Sequence, residues 1–127
     1  MFSISNNIIT INRGDTGELN YKINRGTPAN PQWYELENSD KLVFILTESN
    51  KSFDKALLRK VYGAEDKEED GTINIKFRPN DTYYLLPGTY YYEIKLCINE
   101  SPTQELLDSD NSIIETVSPK RKFIILD

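Results

Sequence analysis

The sequence contains no histidine, one cysteine and few alanines, and each shortage excludes something. Without histidine there is neither the usual physiological-pH general base nor the commonest metal ligand. Ser-His-Asp and Cys-His nucleophile arrangements are therefore impossible. Cys97 alone can form neither an intrachain disulfide nor a thiolate metal cluster. The six glycines stand singly, so no glycine-rich loop is available to cradle a phosphate. Basic residues are in the minority, 15 Lys+Arg against 20 Asp+Glu for a net charge of −5. That balance weighs against nucleic acid or an anionic membrane as partner. The longest apolar run is Leu42-Val43-Phe44-Ile45-Leu46. It falls far short of the roughly 20 residues that span a bilayer, so no membrane insertion is expected. The start, Met1 to Asn7, has neither a basic n-region nor an apolar h-region and reads as lacking a signal peptide. A lone thiol without an export signal suits synthesis in the cytoplasm.

What is present points to sheet. The 127 residues are the length of one domain, and residues 1–127 show no internal repeat or linker. Isoleucine occurs fourteen times and tyrosine eight, against three alanines (Ala29, Ala56, Ala64), a bias towards strands. Period-two runs recur at Ile9/Ile11, Leu19/Tyr21/Ile23, Leu42/Phe44/Leu46, Ile73/Ile75/Phe77, Tyr90/Tyr92/Ile94/Leu96 and Phe123/Ile125. Turn signals such as Arg13-Gly14-Asp15, Asn38-Ser39-Asp40, Asp70-Gly71 and Pro87-Gly88 separate them. The segment Ser52 to Tyr62 fits a helical turn or an edge strand, and Gly63 directly after it favours the strand. The mostly acidic run Glu65 to Asp70 reads as a solvated hairpin loop. This pattern predicts an all-β chain of seven or eight short strands, folded as an antiparallel sandwich or barrel.

Motifs that could carry chemistry mostly have plainer readings. The twelfth position counted from Asp66 is Phe77, where a calcium loop needs a bidentate glutamate. Asp108-Ser109-Asp110-Asn111-Ser112 reads as a polar loop, and Arg13-Gly14-Asp15 as a tight turn. The triplets at Asn50, Asn80 and Asn99 fit the N-glycosylation pattern, which an asparagine-rich chain produces by accident. With 20 acids a paired-carboxylate hydrolase stays formally open. The expectation is nevertheless a non-enzyme, with no catalytic residues, no metal and no cofactor. Trp33, Tyr34, Tyr83, Tyr84, Tyr90, Tyr91 and Tyr92 could stack on sugars, so a carbohydrate-binding module using exposed aromatics is the alternative function. Alternation sends Tyr90 and Tyr92 to the core with Ile94 and Leu96 and leaves Tyr91 exposed. Tyr90 is the candidate for a tyrosine corner, its hydroxyl bonding back to upstream backbone while its ring enters the core.

Six stretches, in chain order, carry a likeness to a known family: Arg13-Gly14-Asp15-Thr16, Asp40 to Leu46, Ile73 to Thr82, Leu85 to Leu96, Glu115-Thr116-Val117 and Lys122 to Ile125. In order and spacing, from about Ile8 to Leu126, the chain resembles the immunoglobulin-like domains of phage tails and baseplates. The N-terminal domain of siphophage baseplate upper proteins is the suggested relative. The most specific part is P-x-D-T-x-x-L-x-x-G-x-Y-x-Y-x-I-x-L at Pro79 to Leu96. The resemblance implies an immunoglobulin-like antiparallel β-sandwich of seven or eight strands, and a virion structural protein of a phage or prophage, made in the bacterial cytoplasm and assembled into the tail. Its partners would be other tail or baseplate proteins, or copies of itself. Family members continue into a helical region and a receptor-binding or adaptor part, whereas this sequence stops at Asp127. Host-receptor binding is therefore not carried over. Short runs at Ile8–Ile11 and Ile124–Leu126 are the expected edge strands through which such a module would dock.

Overall fold

A computed structural model describes residues 1–48, 55–98 and 113–127. The chain is all-β. Among the described residues there are eight strands of four residues or more and one two-residue pair. They are β1 (Phe2–Ser5), β2 (Ile8–Asn12), β3 (Gly17–Tyr21), β4 (Ile23–Asn24), β5 (Trp33–Tyr34), β6 (Lys41–Glu48), β7 (Leu58–Gly63), β8 (Ile73–Phe77), β9 (Gly88–Ile98) and β10 (Ile113–Leu126). Six of them form one sheet in the order β1-β2-β10-β9-β6-β7, while β3 pairs with β8 and β4 with β5.

Alternation decides which side chains meet between these layers. Ile9, Ile11, Leu42, Phe44, Leu46, Tyr90, Tyr92, Ile94, Leu96, Phe123 and Ile125 point inward from the large sheet. Ile23, Ile73, Ile75 and Phe77 meet them from the small pairs, with Leu19 and Tyr21 half-buried beside them. At the centre the Phe44 ring packs edge-to-face on Phe77 at 5.3 Å and stacks on Tyr92 at 5.5 Å. Phe123 closes the aromatic group at 5.5 Å from Phe77.

The strand β6 is buried on both faces. Val43, Ile45 and Cys97 form a second small apolar cluster on the other side of the sheet, with Ala56 packed against it. This explains why Leu42 to Leu46 is continuously apolar instead of alternating.

Two expectations are corrected by the topology. Ile8–Ile11 and Ile124–Leu126 do not lie at edges, because β2 and β10 pair with each other in parallel, Phe123 opposite Ile9 and Leu126 opposite Asn12. β1 covers the far side of β2, so among the described residues the edges of the large sheet are β1 and β7. The acidic run Glu65–Asp70 is exposed and ends in a tight turn bridged antiparallel by Lys67 and Ile73, but the two strands on either side of it do not pair with each other. It leads from β7 in the large sheet to β8, whose partner is β3. A short 3₁₀ turn (Ala64–Asp66) begins this crossing. Gly71, at φ +85°, ends it in a conformation that only glycine adopts without strain, and any side chain there would strike Glu35.

The strand β10 is long but irregular. Its register against β9 shifts between Thr116 and Ser118 and again between Ser118 and Arg121, around Pro119. Proline cannot donate to a ladder, and bulges are where sheets accommodate it. After the second shift Arg121 stands opposite Tyr92, in phase with the buried Phe123 and Ile125. An arginine therefore occupies an inward register position.

Candidate functional site

Tyr90 is buried in the core, and its hydroxyl donates to the Leu86 carbonyl oxygen at 2.6 Å. That bond fixes a loop with unusual surface chemistry. The loop begins in a single helical turn, α1 (Pro79–Thr82), where Asp81 Oδ2 accepts the Arg78 N–H at 2.8 Å and lies 2.8 Å from Lys60 Nζ. Thr82 is fully buried and accepts the Gly14 N–H through Oγ1 at 2.9 Å. The Leu85 N–H donates to the Thr82 carbonyl, and the Leu85 side chain packs on the core. Between and beyond these anchors Tyr83, Tyr84 and Leu86 are 56%, 80% and 76% exposed. The two tyrosine rings meet edge-to-face at 5.0 Å and 83°, so they do not present one flat stacking face. The loop is thus an apolar projection tied to the core at three points.

The turn at Arg13-Gly14-Asp15 docks on the same helix. Gly14 has φ +83°, and the Asp15 N–H donates to the Asn12 carbonyl. Arg13 pairs with Asp127 at 2.9 Å.

The remaining aromatics separate from one another. Tyr92 is buried and donates its hydroxyl to the Asn7 carbonyl at 2.7 Å. Tyr91 is half-buried, so the expectation that it stands exposed is only partly met. Trp33 is exposed, but the Lys22 ammonium lies 4.3 Å from its ring centroid. Tyr34 carries the Arg25 guanidinium at 5.0 Å and donates its hydroxyl to the buried Asp40. Burial, and then Asp40, push the Tyr34 phenol up to about 12. These two rings are therefore committed to placing cations.

Those cations help to line a cleft of about 380 Å³ between the β3–β4 corner and the irregular part of β10. Arg25 Nε and Nη2 donate to the two carboxylate oxygens of Glu115 at 2.9 and 2.5 Å. The hydrogen bond to Arg25 holds the Glu115 carboxyl below the usual range. Arg121 lines the same cleft, and its Nε is buried with no hydrogen-bond partner. The adjacent Tyr21 phenol is pushed up to about 12, first by burial and then by the neighbouring Tyr92. With Lys22, Arg25 and Arg121 against Glu115, the charged lining of this cleft sums to +2 in a chain of −5. By contrast, Glu18, Glu68, Glu69 and Asp70 give the larger groove beside β3 and β8 a charge of −4.

The sequence reading did not single out Arg121. A signal was available, since Lys120-Arg121-Lys122 runs straight into the Phe123/Ile125 alternation and puts Arg121 in step with core residues. Among the described residues, no three His, Cys, Asp or Glu side chains are grouped to hold a metal ion. Asp108–Ser112 and the triplets at Asn50 and Asn99 lie outside the described residues. No protein-family model matches the chain, and no curated protein or solved structure matches it either.

Proposed function

We propose that the chain is a structural assembly module that acts through protein–protein contacts, and that it serves as an immunoglobulin-like building block of a phage or prophage tail or baseplate. One observation carries the assembly part of this reading: the projection of Tyr83, Tyr84 and Leu86 from a loop fixed by Tyr90, Thr82 and Leu85. Large apolar side chains grouped in the open mark contact sites on soluble proteins, and tyrosine is among the residues that dominate interface energetics. A rigid presentation adds affinity because little loop entropy is lost on docking. β1 and β7, which are the outer strands of the large sheet among the described residues, give the same module a means of lateral contact by strand addition. The tail and baseplate assignment rests on the sequence resemblance at Pro79–Leu96, which includes this loop.

Co-expression with the tail and baseplate proteins encoded beside its gene, followed by size-exclusion chromatography, tests the reading. A stable complex is expected, weakened at least about tenfold when Tyr84→Ser and Leu86→Ser are combined. The melting temperature should hold, because both side chains are solvent-exposed. A monodisperse monomer that binds none of those proteins would reject the proposal. So would a reproducible glycan-array ligand that is lost on Trp33→Ala or Tyr91→Ala.

A further inference from the structure

Inward positions of a packed sheet ordinarily take apolar side chains, yet Arg121 holds one opposite Tyr92. It follows the two register shifts around Pro119 and lines the cleft together with Tyr21 and Asn7. A guanidinium cannot shed its charge, and a buried donor without an acceptor is costly. Arg121 is also half-buried and pairs with no acid among the described residues, although its neighbour in the cleft, Arg25, has one. Arg25 and Glu115 show what this cleft accepts: a carboxylate taken by two parallel N–H donors. Lys22, held over Trp33, adds a third positive charge to the same wall.

We infer that this cleft is a receptor for an acidic segment of a partner protein, with Arg121 taking an Asp or Glu carboxylate in the manner in which Arg25 takes Glu115. The charge contrast supports the choice, because a +2 cleft on a −5 molecule selects an anionic segment and orients it. The site is separate from the Tyr83–Leu86 loop, so its occupation does not depend on that loop's partner.

Fluorescence anisotropy of a dye-labelled hexaglutamate peptide, with labelled hexaglycine as control, provides the test. Hexaglutamate should bind saturably and hexaglycine should not. Arg121→Ala should weaken binding at least about tenfold, the loss expected for charge-assisted hydrogen bonds. Arg121→Lys should recover only part of it, because a point charge lacks the planar fork. Glu115→Gln frees Arg25 and should tighten binding several-fold. That gain does not depend on how well the Arg121 variants fold. Tyr84→Ser should leave peptide binding unchanged, which keeps this test independent of the assembly reading. Three results would each overturn the inference: no binding of hexaglutamate, no gain with Glu115→Gln, or displacement of the peptide by inorganic phosphate at equal charge concentration.

Discussion

At the scale of single residues, burial raises five phenols, Tyr21, Tyr34, Tyr62, Tyr90 and Tyr92, above the ordinary tyrosine value. Tyr21 and Tyr34 both titrate at about 12, against 10.0 for a free tyrosine. Each therefore ionises more readily in the unfolded chain than in the folded one. Their contribution to stability is complete below pH 10 and is lost as the pH rises to about 12. Urea midpoints measured across that interval should fall. Tyr21→Phe, which removes one of these ionisations, should make the fall shallower. A midpoint that stays level through this range would show that the phenols are not protected. Cys97 differs from them: it is buried beside Val43 and Ile45, where a thiol behaves as a small hydrophobe.

At the scale of elements, the short helix α1 depends on one carboxylate. Asp81 satisfies the Arg78 N–H at the helix start and pairs with Lys60 on β7, and both side chains are largely buried. Removing one member of such a pair leaves the other charge uncompensated. Asp81→Asn should cost about 2–3 kcal/mol in chemical denaturation, and restoring stability by adding Lys60→Met would identify the orphaned lysine as the cause. A loss below about 0.5 kcal/mol would place this pair with ordinary surface ion pairs.

The inward faces of β2, β6, β8, β9 and β10 were legible from alternation alone, as was Tyr90 as a core tyrosine after a turn. Local periodicity states which side chains share a face, but not which strands become neighbours. The parallel pairing of Ile9–Asn12 with Phe123–Leu126 joins opposite ends of the sequence, so no window of residues could show it. The crossing from β7 to β8 was missed because an acidic run before glycine looks the same whether the next strand pairs back or changes layer. The cleft was invisible for a related reason. Its cations come from the stretch between β3 and β5 and from β10, nearly a hundred residues apart, so alternation could put Arg121 in step with the core but could not say what it faces.

At the scale of the molecule, one aromatic group joins the layers. Phe44 touches Phe77, Tyr92 and Phe123, which come from three other strands and both layers. Phe44→Ala should cost about 3–5 kcal/mol, comparable to the whole stability of a marginal domain. Thermal unfolding followed by circular dichroism should show a largely unfolded chain at or slightly above room temperature. A melting point within a few degrees of the unsubstituted protein would mean that the layers are held together elsewhere.

The β2–β10 ladder also has a mechanical consequence. Because the two strands run in the same direction, tension applied between Asn7 and Asp127 pulls them past each other along their lengths. Their hydrogen bonds then share the load and must fail together, whereas a strand peeled from its end gives way one bond at a time. A component built into a particle that is stretched or twisted in use would gain rupture strength from that geometry.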